Sequence, residues 1–458
     1  MKMIRYSERE DFMKFGTDGI RGLANKELTA KLAFEVGQAG ALVLAKTCER
    51  PRILMAQDTR LSSHMLVAAL TAGFCSVGAD VINLGVLPTP AIAALLEKHN
   101  ASAGVMVSAS HNPFFDNGIK FFDGSGYKLP DEIENEIMDQ MQNLDDVDLP
   151  SGSDVGRLLS TQDALPYYVD FLKKCVGNAN FSGLVFALDC ANGATYEVAP
   201  KIFGELGAKL HIMGDTPDGI NINDECGSTH MEALADFVGK NEVNAGFAFD
   251  GDGDRCLAVD EFGNILDGDM IMSIIATHMI SKGQLKHNTL VATVMSNLGL
   301  IKASKEHGFN VEQTSVGDRY VVERMREGGF VLGGEQSGHI IQLNHQTTGD
   351  GILAALILSA IMSETGKTLS ELNTVMKKMP QTLKNAKIPN NLKDKVLNDP
   401  SIKREIDASH AKFEGRGRVL IRPSGTEPLV RVMIEGEDKA EIEAEATRLA
   451  ELLEKAAL

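Results

Sequence analysis

Long apolar runs, paired cysteines and an excess of positive charge are all missing from this sequence of 458 residues. No window reaches the ~18 consecutive apolar residues that a membrane span requires. The opening residues, MKMIRYSEREDF, carry charges where a signal peptide has an apolar run, and the six cysteines are scattered without a C-x-x-C pair. We therefore expect a cytoplasmic protein with reduced thiols and no membrane contact.

Positive charge is scarce, because 45 lysines and arginines face 63 aspartates and glutamates, which leaves a net charge of −18. This balance argues against nucleic acid or an anionic membrane surface as a partner. It leaves room for an anionic small molecule, provided that local clusters of Arg, Lys and backbone N–H groups bind it.

The chain is too long for one hydrophobic core, and its apolar runs alternate with helix-period segments. One pattern occurs three times: a β-like run, a turn, a helical run, a short second strand and a polar loop. The copies begin at RILMAQDTR, GLVFALDCANGAT and NTLVATVMSNLG, and their helical runs end at Gly78, Gly207 and Gly308, as glycine commonly does after a helix. The repeat predicts three similar α/β domains.

The end of the chain has a different character. After Met379, the stretch GRGRVLIRPSGTEPLVRVMIEGED predicts two strands around a loop, and KAEIEAEATRLAELLEKAAL predicts an amphipathic helix. The acidic segment 143–156 predicts a linker. We expect an α/β fold with three similar three-layer α/β/α domains plus a smaller C-terminal α+β domain. The expected bounds are 1–147, 160–263, 264–375 and 376–458.

Three carboxylates, Asp250, Asp252 and Asp254, occupy every second position of DGDGDR, where a β-like run ends. The intervening glycines let the backbone curl, so that the carboxylates can converge. Carboxylates at such short distances repel one another unless a cation lies among them. Hard oxygen ligands favour Mg²⁺ or Ca²⁺ as that cation. An EF-hand is excluded because Arg255 occupies the position that needs glycine. An exposed acidic turn is the alternative.

Donor groups for a phosphate are concentrated in LIRPSGTEPLVR near the C-terminus. This segment combines Ser424, Gly425 and Thr426 with the guanidinium groups of Arg422 and Arg431. A surface turn is the alternative. No Walker A loop is present, since in the TGKTL stretch an isoleucine occupies the position that should be glycine.

Two further loops carry polar groups that suit a sugar phosphate. In GGEQSGHII, Glu335, Ser337 and His339 alternate, so an extended segment would present all three to sugar hydroxyls on one side. In KFGTDGIRG, Arg21 could contact a phosphate. An exposed polar loop and a simple turn are the respective alternatives.

In SASHNPFFDNGIKFF, an apolar run ends abruptly at two serines and a histidine. Ser110 is either a helix N-cap or a nucleophile. No G-x-S-x-G elbow supports acyl transfer with His111 as the base. Beside a metal loop and phosphate-type loops, phosphoryl transfer to and from a serine hydroxyl fits better.

The four signatures SASHNP, DGDGDR, GEQSGH and RPSGTEP occur in this order and span nearly the whole chain. In them the sequence resembles the α-D-phosphohexomutase superfamily. The stretches FGTDGIRG, SVGDRYV and GGEQSGHIIQLNHQTTGDGI are most similar to its bacterial members that act on amino-sugar phosphates. The resemblance implies an isomerase that interconverts glucosamine 6-phosphate and glucosamine 1-phosphate for UDP-N-acetylglucosamine and cell-wall synthesis. It also implies a possible homodimer through the first domain.

The resemblance assigns roles to individual residues. It implies that Ser110 carries a phosphoryl group and that one Mg²⁺ per active site is held by an oxygen of this phosphoserine and by Asp250, Asp252 and Asp254. The substrate phosphate is expected in the Arg422–Thr426 loop, with the free 1-hydroxyl facing Ser110. Glucosamine 1,6-bisphosphate is the implied intermediate and activator, and it turns end for end before its 6-phosphoryl group returns to Ser110.

Other roles are assigned only as sets. Besides Ser110, the expected catalytic residues are His111, Lys120, Arg21 and His339, as acids, bases or charge-stabilising groups. The expected substrate-binding residues are Arg255, Glu335, Ser337, Arg422, Ser424, Gly425, Thr426 and Arg431. The enzymatic alternative is a mutase for mannose or glucose phosphates. A non-catalytic sugar-phosphate-binding protein is the more distant alternative, against which the intact serine and aspartates argue.

Overall fold

The computed structural model describes residues 19–44, 48, 50–161, 163–424 and 427–457. These residues form four β-sheets with flanking helices, and they group into two compact units. The first unit extends to Met295 and includes Phe309–Thr374, while the second combines Ser296–Gly308 with Val375–Leu458. Three of the four sheets lie in the first unit, as the predicted fold class of three α/β/α domains and a smaller C-terminal domain requires.

The first sheet is built from an alternation of strands and helices. In chain order these are β1 (Ile20–Leu23), α1 (Ala30–Leu44), β2 (Arg52–Gln57), α2 (Ser63–Ser76), β3 (Asp80–Val86), α3 (Thr89–His99), β4 (Ala103–Val107), β5 (Asp116–Asp123), α4 (Asp131–Gln142) and β6 (Leu158–Ser160). The strand order is β1-β5-β4-β2-β3-β6. Because β2 and β4 are parallel neighbours, their C-terminal ends meet at one edge of the sheet. The loops that follow these two strands are therefore brought together.

The second and third sheets follow in the same unit. The second comprises α5 (Ala164–Val176), β7 (Val185–Asp189), α6 (Val198–Glu205), β8 (Lys209–Met213), α7 (Glu232–Lys240), β9 (Ala245–Phe249), β10 (Cys256–Asp260) and β11 (Ile265–Leu266), in the strand order β11-β10-β9-β7-β8. The next elements are α8 (Gly268–Ser281), β12 (Thr289–Thr293), α9 (Leu298–His307), β13 (Asn310–Thr314), α10 (Asp318–Gly328), β14 (Leu332–Gly334), β15 (Ile340–Gln342), α11 (Gly351–Thr365) and α12 (Leu369–Leu372). The third sheet has the order β13-β12-β14-β15.

The second unit is an antiparallel sheet with helices, as the sequence predicts for the end of the chain. Its elements are β16 (Gln381–Lys387), α13 (Lys393–Leu397), α14 (Pro400–Phe413), β17 (Gly417–Pro423), β18 (Leu429–Gly436) and α15 (Lys439–Ala456), with the strand order β16-β18-β17. Helix α9 groups with this sheet because the buried carboxylate of Glu435 accepts a hydrogen bond from the backbone N–H of Leu298 and pairs with Arg418.

The glycines that end the three repeated helical runs adopt the predicted conformation. Gly78, Gly207 and Gly308 have φ values of 92°, 94° and 79°, in the left-handed region that favours glycine, directly after the ends of α2, α6 and α9. Among the described helices, none is by itself long and apolar enough to cross a membrane, although α11 and Leu369–Val375, bent by 97°, reach that length and composition together. Most of α11 is buried inside the first unit.

A buried hydrogen bond joins the N-terminus of α11 to α5. The hydroxyl of Tyr168 donates to Oδ2 of Asp350 over 2.7 Å, and Oδ1 of Asp350 caps the helix by accepting from the N–H of Leu353 over 2.9 Å. Burial raises the pKa of Asp350 to about 6, although these hydrogen bonds act in the opposite direction. The carboxylate is therefore charged in the folded protein only above about pH 6.

We expect Tyr168→Phe to destabilise the fold by about 1–3 kcal/mol at pH 8 and by less at pH 5. Between about pH 4 and pH 6, Asp350 keeps its proton in the folded state but has lost it in the unfolded chain. Above about pH 6 the carboxylate is charged in the folded state also, and it then depends on the tyrosine hydroxyl as a hydrogen-bond donor. Urea unfolding at the two pH values measures the difference. Tyr167→Phe is the matched control, with an expected change within roughly 0.5 kcal/mol. Equal losses at both pH values would contradict this account.

Candidate active site

Ser110 lies in the loop between β4 and β5, so no helix begins there and the N-cap alternative is wrong. The residue is only 2% exposed and has a positive φ of 53°. Its Oγ donates a hydrogen bond to Oδ2 of Asp250 over 2.6 Å and lies 3.4 Å from Nδ1 of His111. The serine that the sequence singles out thus contacts the first of the three aspartates directly.

The three aspartates follow the end of β9, and all are buried. One carboxylate oxygen from each of Asp250, Asp252 and Asp254 lies within 4.8 Å of the others. Oδ1 of Asp252 and Oδ1 of Asp254 accept no hydrogen bond from any described residue. Buried carboxylate oxygens without donors fit a divalent cation with oxygen ligands, and the adjacent Ser110 supplies a further oxygen. This fit excludes the exposed acidic turn.

The metal loop and the serine loop touch through their backbones. A Cβ atom at Gly251 would lie 2.6 Å from the carbonyl oxygen of Ser110, closer than a side chain tolerates. Glycine is therefore required here for close approach as well as for curling of the loop.

Two cations and a hydroxyl surround the aspartates. Nζ of the buried Lys120 lies 2.7 Å from Oδ2 of Asp252 and 3.8 Å from Oδ2 of Asp254. The hydroxyl of Thr89 also donates to Oδ2 of Asp252, over 2.6 Å. The backbone N–H of Arg255 donates to Asp250 over 3.2 Å, and its guanidinium Nη1 lies 3.1 Å from Nδ1 of His111. These groups offset part of the negative charge.

The electrostatic environment differs among the side chains of the site. Burial, together with the carboxylates of Asp254 and Asp252, raises the pKa of Asp250 well above its ordinary value. Burial acts in the same direction on Asp254, but His339 and Lys120 outweigh it and hold the pKa of Asp254 well below its ordinary range. Burial and the positive charges of Arg255 and Arg21 lower the pKa of His111 to about 4. His111 is therefore neutral at pH 7.

The predicted extended segment in GGEQSGHII is wrong. The N–H of Gly338 donates to the carbonyl of Glu335 over 3.0 Å and closes a turn, which leaves Ser337 exposed and His339 buried. Nδ1 of His339 lies 3.6 Å from Asp254, and its Nε2 lies 3.3 Å from Asp318 at the start of α10. Burial lowers the pKa of His339, but these two carboxylates outweigh it and raise the pKa above its ordinary value.

Arg21 lies in β1, paired in register with Gly118 of β5, on the strand that also carries Lys120. Glu335 accepts a hydrogen bond from the N–H of Gly317 over 3.1 Å, in the loop that leads to α10. The first unit therefore brings Ser110, His111, Lys120, the three aspartates, Arg255 and His339 into one connected set of contacts.

The predicted phosphate-binding residues lie in the second unit, at the turn between β17 and β18. Arg422 and Arg431 face each other in register, and Ser424 is buried. Nζ of the buried Lys393 donates to the carbonyl oxygens of Ser424 and Glu427 over 2.5 and 2.7 Å. Gly425 and Thr426, also predicted to bind the phosphate, lie outside the described residues.

Sequence reasoning missed several polar residues around Ser110 and His339. Asp58 and Arg60 follow β2, and Asn223 lies between β8 and α7. Asp318 belongs to SVGDRYV, a stretch that carried the resemblance but no assigned role. A signal existed for Asp58 and Arg60, since DTR directly follows a buried strand as SASHNP does. For Asn223 no such local signal exists.

Four family models match the chain in order. They are described as phosphoglucomutase/phosphomannomutase alpha/beta/alpha domain I at residues 13–148, domain II at 166–263, domain III at 267–379, and the C-terminal domain at 383–452.

Curated relatives are similar over nearly their full length. A protein of Clostridium perfringens strain SM101 named phosphoglucosamine mutase is 54% identical over 441 residues, which cover 96% of this chain and 98% of the relative. A protein of Clostridium novyi strain NT with the same name is 53% identical over 444 residues, covering 97% and 99%.

Solved structures share the fold. A phosphoglucomutase/phosphomannomutase family protein from Burkholderia thailandensis has a TM-score of 0.80 at 24% identity, covering 96% of this chain and 98% of its own. The N-acetylphosphoglucosamine mutase of Aspergillus fumigatus, in complex with GlcNAc-6P and magnesium, has a TM-score of 0.68 at 19% identity, covering 98% and 97%.

Proposed function

The chain belongs to the phosphoglucomutase/phosphomannomutase family, and from that membership we propose that it interconverts glucosamine 6-phosphate and glucosamine 1-phosphate. This activity makes it an isomerase that moves a phosphoryl group between two oxygens of one sugar. One observation carries the proposal: Oγ of Ser110 lies 2.6 Å from Asp250 within a buried set of three carboxylates. A serine oxygen beside such a cluster can carry a phosphoryl group whose charge a metal neutralises.

The reaction consists of two phosphoryl transfers through Ser110. In the first, the C1 hydroxyl oxygen of glucosamine 6-phosphate attacks the phosphorus of phosphorylated Ser110. The bond from phosphorus to Oγ breaks, and Oγ takes up a proton as the C1 hydroxyl gives one away. In the second, after the glucosamine 1,6-bisphosphate has turned end for end, Ser110 Oγ gives up its proton and attacks the phosphorus on the C6 oxygen. The bond from phosphorus to the C6 oxygen breaks, and that oxygen takes up a proton. Glucosamine 1-phosphate then leaves, and Ser110 is phosphorylated again.

The residues that would hold a metal are Asp250, Asp252 and Asp254, with the oxygen of Ser110 or its phosphate as a further ligand. Their hard oxygen donors suit Mg²⁺. When bound, Mg²⁺ supplies neutralisation of the negative charge on the phosphoryl oxygens.

Proton transfer and charge stabilisation fall to the neighbouring side chains. His111 is neutral at pH 7, because its pKa is lowered to about 4 by burial and by nearby arginines, and its Nδ1 lies 3.4 Å from Ser110 Oγ. A neutral imidazole can accept a proton, and at this distance His111 is close enough to exchange one with the serine. Lys120 and Arg255 keep positive charge beside the aspartates, where the transferring phosphoryl group would lie.

The remaining assignments concern substrate binding. Glu335 and the exposed Ser337 are proposed to bind sugar hydroxyls, and Arg422, Ser424 and Arg431 to bind the phosphate that is not being transferred. Their donors and acceptors match those groups. The product, glucosamine 1-phosphate, would supply UDP-N-acetylglucosamine synthesis. The homodimer and the cytoplasmic location stay predictions.

Substrate identity is tested by competition. We expect kcat/KM for glucosamine 1-phosphate to exceed that for glucose 1-phosphate or mannose 1-phosphate by at least about tenfold, the lower end of the discrimination that a change in one substrate group produces. Mixed-substrate turnover with purified protein and Mg²⁺, followed by anion-exchange chromatography that separates the 1- and 6-phosphates of each sugar, measures the ratio directly. Equal turnover of glucose 1-phosphate would assign the protein to the alternative mutase activity. Binding of all three sugars without turnover would favour the sugar-phosphate-binding protein.

A further inference from the structure

The backbone of Ser110 is held in an unusual conformation. Its φ of 53° lies in the left-handed region, which residues with a side chain rarely adopt because Cβ crowds the following carbonyl. The residue is also almost fully buried. Such a conformation persists only where surrounding groups determine it.

Four residues form a closed ring of polar contacts around the Ser110 backbone. The N–H of Ser110 donates to Oγ of Ser108 over 2.9 Å, and Oγ of Ser108 donates to Oδ2 of Asp58 over 2.6 Å. The same Oδ2 lies 3.2 Å from Nε of Arg60, and Nη2 of Arg60 donates back to the carbonyl of Ser110 over 2.9 Å. All four side chains are at most 2% exposed. Both polar groups of the Ser110 backbone are thereby fixed.

A second donor to the Ser110 carbonyl is Asn223, in the loop between β8 and α7. Nδ2 of Asn223 donates to the carbonyl oxygens of Ser110 and Asn112 over 3.0 and 3.2 Å. Nη2 of Arg60 also donates to the carbonyl of Asn112, over 2.8 Å. Because two carbonyl oxygens face the Asn223 amide, its NH₂ group must point toward them. Each carbonyl therefore receives one bond from a guanidinium and one from an amide.

We propose that Arg60 and Asn223 are positioning residues that clamp the carbonyls of Ser110 and Asn112 and so hold Ser110 Oγ against the metal site. This inference rests on the proposed function, in which Ser110 receives and donates the phosphoryl group. Oγ must occupy one position in both transfers, because a misplacement of about 1 Å costs roughly 10²-fold in rate. Loss of the clamp lets the backbone relax toward an ordinary φ, which turns Oγ away from Asp250.

Asn223 offers the sharper test, because Arg60 is fully buried and its replacement endangers folding. Dephosphorylated protein is mixed with glucosamine 1,6-bisphosphate and Mg²⁺, and phosphorylation of Ser110 is followed by intact mass. We expect Asn223→Ala to slow this uptake and kcat by about 10- to 100-fold, with KM changed less than about threefold. Asn223→Asp, which keeps the volume but sets an oxygen against the two carbonyls, should be at least as slow.

Asn221→Ala is the control, since Asn221 lies in the same loop and bonds within it, to Asp218 and Thr216. Its rates should stay within about twofold of wild type, and its melting temperature should stay near the wild-type value. Both Asn223 variants lose buried hydrogen bonds at a residue with a φ of 58°, so all assays are run well below the melting temperatures of these variants. A raised KM with unchanged kcat in Asn223→Ala would mean that Asn223 binds substrate, and the clamp would be overturned. Equal slowing in Asn221→Ala would overturn it also, as would wild-type uptake by Asn223→Ala. If the wild type takes up no phosphoryl group, the proposed function itself fails.

Discussion

Ser110→Ala should reduce kcat by roughly 10⁵-fold or more, the scale on which loss of a covalent nucleophile acts. The hydroxyl that carries the phosphoryl group is gone, while the neighbouring carboxylates and cations remain in place. The variant should also lack the subpopulation of wild-type protein that is heavier by one phosphoryl group. Steady-state kinetics and intact-mass measurement on the same preparations test both expectations.

Ser125→Ala is the matched control, because Ser125 is an exposed serine in the loop after β5. This variant should keep wild-type turnover and the phosphorylated subpopulation. Retention of the phosphoryl group in Ser110→Ala would place the carrier on another residue. Full turnover by unphosphorylated wild-type protein without added bisphosphate would contradict the two-step reaction as a whole.

The parts of this site that sequence reasoning located are local in the chain. Asp250, Asp252 and Asp254 are separated by single glycines, so their convergence follows from one turn. Ser110 and Lys120 are joined by a short loop and the β4–β5 pairing. The smaller C-terminal domain was also predictable, because two short apolar runs around a polar loop and a 3.6-residue period in α15 are properties of short segments.

The features of the site that the sequence did not predict depend on residues far apart in the chain or on a single backbone hydrogen bond. Arg60 is 50 residues from Ser110 and Asn223 is 113 residues away, so their meeting depends on strand order and on the second sheet. The extended segment expected at Glu335 failed because Gly338, with a φ of 93°, closes a turn that alternation of polar residues does not reveal. The grouping of α9 with the C-terminal sheet similarly depends on the buried Glu435.

Asp250→Asn should abolish the response of the protein to Mg²⁺. In the wild type, Mg²⁺ at about 100 times its Kd should stabilise the fold by about 2.7 kcal/mol, because only the folded state assembles the three carboxylates. The substitution removes one negative ligand oxygen and the charge that it brings. We expect the Mg²⁺-dependent rise in melting temperature to disappear and kcat to fall by about 10³-fold or more, since charge neutralisation by a catalytic metal is worth several kcal/mol.

Without metal, the same substitution should have the opposite effect on stability. Burial and the neighbouring carboxylates raise the pKa of Asp250 well above its ordinary value of 3.8. The folded wild type therefore binds a proton that the unfolded chain has lost, and its stability in EDTA falls as the pH rises from about 4 through the raised pKa. Asparagine is neutral throughout, so Asp250→Asn should melt higher than wild type at pH 8 in EDTA, with a smaller difference at pH 5.

The two effects together separate a metal site from a merely buried acidic cluster. Thermal melts at pH 5 and 8, each in EDTA and in Mg²⁺, contain the full comparison. Asp236→Asn, at an exposed position of α7 in the same sheet domain, should behave as wild type under all four conditions. A variant that gains stability in EDTA and loses the Mg²⁺ response fits a cation held among the three carboxylates. An unchanged Mg²⁺ response in Asp250→Asn would show that the ion binds elsewhere, because an ion held by Asp250 would lose a charged ligand in this variant.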